Sequence, residues 1–137
     1  MTVQEIYSAF GRGDIPAILD LIADDCCWEA WADNSAQRAG VPYLQPRIGP
    51  SGVGNFFAAV AELEIHHFEV LDCIAGRDQV AAEILIEAST PTRGRFRDEE
   101  LHLWTLDANG RIVRLRHYVD TAKHIAAAAG TDTTSSA

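Results

Sequence analysis

The stretch that most limits what this chain can fold into is Arg97 to Asp120, RDEELHLWTLDANGRIVRLRHYVD. It reads as two β-strands joined at Asp107-Ala108-Asn109-Gly110, where Asn and Gly tolerate the positive φ of a tight turn. With Leu106 paired to Arg111, alternation sets Glu100, His102, Trp104 and Leu106 on one face, beside Val113, Leu115 and His117. In that register Glu100 directly opposes His117, and His102 and His117 are diagonal neighbours about 7–8 Å apart. The other face carries Leu101, Leu103, Thr105, Ile112, Arg114, Arg116 and Tyr118. An apolar sheet face interrupted by a few titratable groups is the inside of a small-molecule pocket.

Before the hairpin the pattern is mostly helical. Thr2 with Glu5 forms a capping box for a helix whose apolar positions are Val3, Ile6, Tyr7 and Phe10. Asp14 caps a second helix with Pro16 in its first turn. Cys26 to Trp31 reads as a strand with Trp28 and Glu29 on opposite faces, and residues 33–50 read as a long ordered loop of the kind that serves a site. Ser51 starts a helix running to Leu63. Strands follow over 65–75 and 79–89, then the hairpin, then a closing helix over 121–129 capped by Asp120, with His124 exposed on it. One domain spans 1–129, and 130–137 is a flexible tail.

Helices first and consecutive strands afterwards give an α+β class. The expected architecture is a cone-shaped α+β barrel: a curved, mostly antiparallel sheet wrapped around three helices, with a short C-terminal helix. A formal charge of −9 argues against nucleic acid and against an anionic membrane as partners. The N-terminus lacks a signal-peptide pattern, so a cytoplasmic protein is expected. Cys26, Cys27 and Cys73 are odd in number and fit no zinc spacing, which predicts buried free thiols, no metal and no cofactor.

The order of elements, together with the phrases IADDCCWEAW, IGPSGVGNFFAAVAEL and LDANGRIVRLRHYVDTAKH, resembles the nuclear transport factor 2-like superfamily, in its SnoaL-like and ketosteroid-isomerase-like branch, over residues 2 to 128. That resemblance implies the cone fold and a homodimer formed through the sheet. It does not fix an activity, because the superfamily includes steroid isomerases, polyketide cyclases, an epoxide hydrolase and scytalone dehydratase. The steroid-isomerase base falls at Ala30, between Glu29 and Asp33. The oxyanion-hole Asp falls at His102, and the oxyanion-hole Tyr matches Tyr7. The acid/base Asp of SnoaL-like cyclases falls at His117, as does one carboxylate of limonene-epoxide hydrolase, whose remaining polar positions are Ile84 and Ile86 here. Retained pocket positions thus carry altered chemistry.

Two readings stand at this level. In the first the chain is a small cofactor-independent enzyme, an isomerase, cyclase or dehydratase-type lyase acting on a hydrophobic carbonyl compound. His102 and His117 supply acid/base or oxyanion groups, Glu100 orients them, and Trp28, Trp31, Tyr43, Trp104, Leu115 and Tyr7 line the site. In the second the same fold only binds a small ligand or dimerises.

Overall fold

A six-stranded sheet in the order β2-β1-β6-β5-β4-β3 organises the computed structural model, which describes residues 1–135. The strands are β1 (Ile22–Trp28), β2 (Arg47–Ile48), β3 (Glu64–Ala75), β4 (Gln79–Ser89), β5 (Arg95–Leu106) and β6 (Ile112–Tyr118). Only β1 and β6 run parallel; every other neighbouring pair is antiparallel. The helices are α1 (Thr2–Gly11), α2 (Ile15–Leu19), α3 (Ser35–Arg38), α4 (Gly49–Val60) and α5 (Thr121–Ala128). The sheet is curved and unclosed, and the fold is the expected α+β cone. No helix among the described residues is long and apolar enough to cross a membrane.

Several expected boundaries move, each for a local reason. Thr2 lies inside α1 rather than capping it, and its hydroxyl donates to the Gly110 carbonyl at 2.7 Å, tying the first helix to the hairpin turn. Asp14 does cap α2, accepting from the Ala17 N–H at 3.2 Å, an interaction worth about 1 kcal/mol. The first strand starts at Ile22, four residues before the cysteines, because the backbone of Leu21 already accepts from Ile112. Cys26 is buried as expected, but Cys27 faces out.

The long loop is broken by α3, a 3-10 turn over Pro42–Leu44 and β2. The following helix starts at Gly49 instead of Ser51. Gly49 has φ +69, and a Cβ there would lie 2.6 Å from the Asp24 carbonyl, so glycine alone fits. At the other end, Arg95 accepts from Thr133 N–H at 2.8 Å and donates to Thr131 at 3.1 Å. Residues 131–133 are thereby tied to β5, not loose; residues 136–137 fall outside the described part.

The hairpin register also differs from expectation. Asp107 Oδ1 accepts from the N–H groups of both Asn109 and Arg111, at 2.9 and 3.0 Å, which draws Arg111 into the turn. Leu106 then pairs with Ile112, a bulge follows between Thr105 and Leu106, and His102 stands directly opposite His117. The diagonal relation belongs instead to Glu100 and His117. Ile112, assigned to the mixed face, is fully buried for the same reason. The inward parity read for Glu100, His102 and Trp104 holds, and Phe96 and Asp98 continue it; all five are buried.

Candidate active site

Between the helices and the concave face of the sheet lies a cavity of about 80 Å³, several times what a water molecule needs. Helix α1 contributes Tyr7 and Phe10, and α4 contributes Phe56 and Phe57. The sheet contributes Trp28, Trp104 and Leu115. Trp28 packs edge-on against Trp104, centroids 5.5 Å apart, and against Phe56 at 5.2 Å. These rings make the wall almost wholly apolar.

One end of this cavity is built from imidazoles and carboxylates in alternation. Trp104 Nε1 donates to the Tyr7 hydroxyl at 3.0 Å, and the same hydroxyl lies 2.7 Å from His102 Nδ1. With Trp104 as donor, the Tyr7 proton points to His102. The Nε2–H of His102 then faces Glu100 Oε1 at 3.4 Å. That carboxylate oxygen also accepts from His117 Nε2 at 2.8 Å, and His117 Nδ1 donates to Glu29 Oε1 at 2.8 Å. A third imidazole meets the other oxygen: His124 Nε2 lies 3.0 Å from Glu100 Oε2 and 2.8 Å from Asp98 Oδ2, while the Tyr43 hydroxyl holds His124 Nδ1 at 2.7 Å.

The charge states follow from these partners. Burial disfavours a charge on His117, but Glu29 and Glu100 on its two sides outweigh it and hold the ring well above its ordinary pKa. Burial likewise opposes ionisation of Glu100, yet the three surrounding imidazoles hold its carboxyl well below the usual range. His102 goes the other way: burial, reinforced by the neighbouring His117 charge, lowers it to about 4. Burial also raises the Glu29 carboxyl, against the pull of His117, and raises the Tyr7 and Tyr43 phenols, which stay protonated. Two imidazoles whose ring centroids are 4.6 Å apart therefore stand in opposite protonation states at neutral pH, one neutral and one cationic. Such a division of a close pair is how acid and base roles are assigned.

Of the residues singled out from sequence, His102, His117, Glu100, Trp28, Tyr43, Trp104, Leu115 and Tyr7 all line the cavity. Trp31 does not. It packs on Tyr118, centroids 5.1 Å apart, and Tyr118 sits on the opposite face of β6. The cause is Glu29, whose φ of 62° breaks the strand alternation. Trp28 and Glu29 thus both turn inward, and Trp31 is carried past the rim. Glu29, His124 and Asp98 are the members that sequence reasoning missed. Asp98 shares the parity of Glu100 and His102, a signal present in the pattern; His124 lies on the same side of α5 as the buried Ala127, which the structure shows. His124 is 1% exposed, where an exposed ring was expected, because Asp98 and Glu100 draw it in. No sequence signal marks a left-handed glutamate.

The sequence model of the SnoaL-like domain family matches residues 3–115. Among curated proteins none matches the chain. Solved structures share the fold at low identity. A nuclear transport factor 2-like protein from Burkholderia xenovorans is 19% identical, with a TM-score of 0.76 over 93% of this chain and 92% of that one. TerC, co-crystallised with polyporic acid, is 20% identical with a TM-score of 0.69, covering 88% and 90% of the two chains. A Mycobacterium tuberculosis protein in complex with estradiol-17β-hemisuccinate is 18% identical with a TM-score of 0.64, covering 85% and 89%.

Proposed function

The chain belongs to the SnoaL-like domain family, and from that premise we propose that it is a small pocket enzyme acting by proton transfer on a hydrophobic carbonyl compound. The observation that carries this reading is the chain of buried imidazoles and carboxylates at one end of an otherwise apolar cavity. Burying that many ionisable groups costs stability unless they are paired, and a chain of them in unlike protonation states is an arrangement typical of catalytic sites. His102, neutral at pH 7, serves as the base through Tyr7: the phenolic oxygen takes the proton from the carbon beside the carbonyl as its own proton passes to His102 Nδ1. His117, held cationic, stabilises the enolate charge that develops in a low-dielectric pocket. Glu100 orients both rings, and Glu29 fixes His117 from the far side.

The products this supports are those of isomerisation, cyclisation or dehydration, all of which begin from such an enolate, and none of these steps needs a cofactor. Two structural relatives hold a polyporic acid and a steroid ester, which makes flat hydrophobic molecules the class to try. The pocket end of such a ligand is gripped by Trp28, Trp104, Leu115, Tyr43 and Tyr7. Dimerisation through the outer sheet face belongs to the same reading. Leu71, Ile74 and Leu101 are exposed there, and Arg116 Nε is buried without a partner among the described residues.

A second reading, a ligand-binding module without turnover, is favoured by one observation. Every imidazole and carboxylate of the buried network already has a partner inside the protein. The test is a thermal-shift screen against hydrophobic ketones and enones, followed by turnover of the hits. Binding raises the melting temperature with ligand concentration. Turnover that falls at least tenfold in His102→Gln, with the ligand-induced shift kept, supports the enzyme. Shifts without turnover leave the binding module.

A further inference from the structure

The three imidazoles share a feature that acid/base chemistry does not require. Each has its Nδ1 held by a separate partner: His102 by Tyr7, His117 by Glu29, His124 by Tyr43. Each directs its Nε2 at the single carboxylate of Glu100. Outer partners on one ring nitrogen and convergence of the other nitrogens on a carboxylate is how proteins set up metal ligands, since the outer hydrogen bond fixes ring orientation.

The ligand atoms divide into two sets, one on each Glu100 oxygen. His102 Nε2, His117 Nε2 and Glu100 Oε1 lie within 4.8 Å of one another, as do the atoms of Asp98, Glu100 and His124. In the second set the Asp98 oxygen is already shared with the Asp120 N–H at 3.1 Å, so the first set is the freer one. Its nitrogen–oxygen separations of 3.4 and 2.8 Å bracket the spacing of neighbouring ligands around an ion bound at about 2.0–2.1 Å. Both Nε2 atoms face the same Glu100 oxygen, from rings whose centroids are 4.6 Å apart.

We propose that His102 Nε2, His117 Nε2 and Glu100 Oε1 bind one divalent transition-metal ion at the cavity wall. Two imidazoles and one carboxylate form the ligand set of zinc, cobalt and non-haem iron sites that leave positions open. The sequence expectation of no metal followed from cysteine spacing. These ligands are instead collected by a strand alternation of two and a cross-strand pair, which no linear spacing motif describes. The ion would replace the protons that otherwise bridge the rings to Glu100: His117 releases its Nε2 proton to solvent, and His102 shifts its single proton to Nδ1, which then donates to the Tyr7 oxygen. Metal-loaded and proton-bridged forms are therefore alternatives, and this inference stands apart from the proton-transfer reading.

The test uses the full chain, stripped with a chelator and titrated with Co2+ and Zn2+ in the absence of any substrate. The expected result is one Co2+ per chain with visible d–d absorption, a micromolar or tighter dissociation constant, and no thiolate charge-transfer band. His117→Ala should weaken binding at least 100-fold. Glu29→Gln, which removes only the outer carboxylate, should weaken it about 10–100-fold. The double variant His66→Ala/His67→Ala, at an exposed pair on β3, should change nothing. Should the His117 variant fail to fold, Zn K-edge absorption on the wild-type chain decides: two imidazoles with oxygen support the site. A sulfur shell, binding lost with His66 and His67, or no binding below millimolar ion overturns it. Each of those outcomes leaves the proton-transfer reading to its own turnover assay.

Discussion

Removing the carboxylate of Glu29 exposes the energetics of the buried chain most cleanly, because Glu29 touches His117 and no other imidazole. Its side chain is 1% exposed and its Oε1 lies 2.8 Å from His117 Nδ1. In Glu29→Ala that N–H of a buried imidazolium loses its acceptor. Stripping one partner from a buried ion pair costs about 3–5 kcal/mol. For a chain of this size, between the calibration ranges, each kcal/mol moves Tm by roughly 4 °C. The expected loss is therefore about 12–20 °C by calorimetry at pH 7, from the same arithmetic. Glu29→Gln keeps a neutral acceptor and forfeits only the charge, about 1.5–3 kcal/mol, hence roughly half that shift.

The pH dependence has a definite sign. His117 is held above its ordinary value in the folded chain, so its stabilisation is complete below about 6.5 and is lost as pH rises through the raised folded value. Glu100 is held below its ordinary value, so its share is complete above about 4.3 and is lost as pH falls through the lowered one. Wild-type stability should show a plateau across neutral pH, and the gap to Glu29→Ala should narrow on the alkaline side as His117 gives up its proton. A Glu29→Ala variant within about 1 kcal/mol of wild type at pH 7, with no such narrowing, would refute the claim that a buried charge pair is present.

Three other outcomes follow from particular contacts. Side-chain 15N NMR at pH 7 should show both nitrogens of His117 protonated, whereas His102 should carry a proton on Nε2 alone. Trp31→Ala should leave ligand-induced thermal shifts intact, while Trp28→Ala should abolish them, since Trp28 lines the cavity and Trp31 does not. Gly94→Ala would drive a Cβ into the Ala127 backbone carbonyl, a clash expected to cost at least about 1–3 kcal/mol, read as a Tm fall with loss of the α5 signal in amide exchange.

The fold was legible because its long strands alternate and its turns carry Asp, Asn and Gly; the inward parity of β5 from Glu100 to Trp104 could be read from that alternation. What the sequence hid was set by single backbone choices. Asp107 captures two N–H groups instead of one, and the histidine pair moves from diagonal to direct. Glu29 adopts a left-handed φ, and a carboxylate expected outside turns into the site while Trp31 turns out. His124 looked like a polar residue on an exposed helix, since its partners Asp98 and Glu100 lie more than twenty positions earlier. Alternation and helical periodicity describe average geometry, whereas these residues are placed by individual hydrogen bonds and backbone angles.

The central claim is that His102 and its cationic neighbour move a proton on a carbonyl compound held by the apolar wall. Deuterium exchange at the carbon beside the carbonyl of a ketone that raises Tm, followed by NMR in D2O, tests it most directly. The account predicts exchange well above the buffer rate in wild type and near the buffer rate in His102→Gln, with the ketone still bound by both. Equal exchange in the two proteins, or none in either with binding intact, would contradict it.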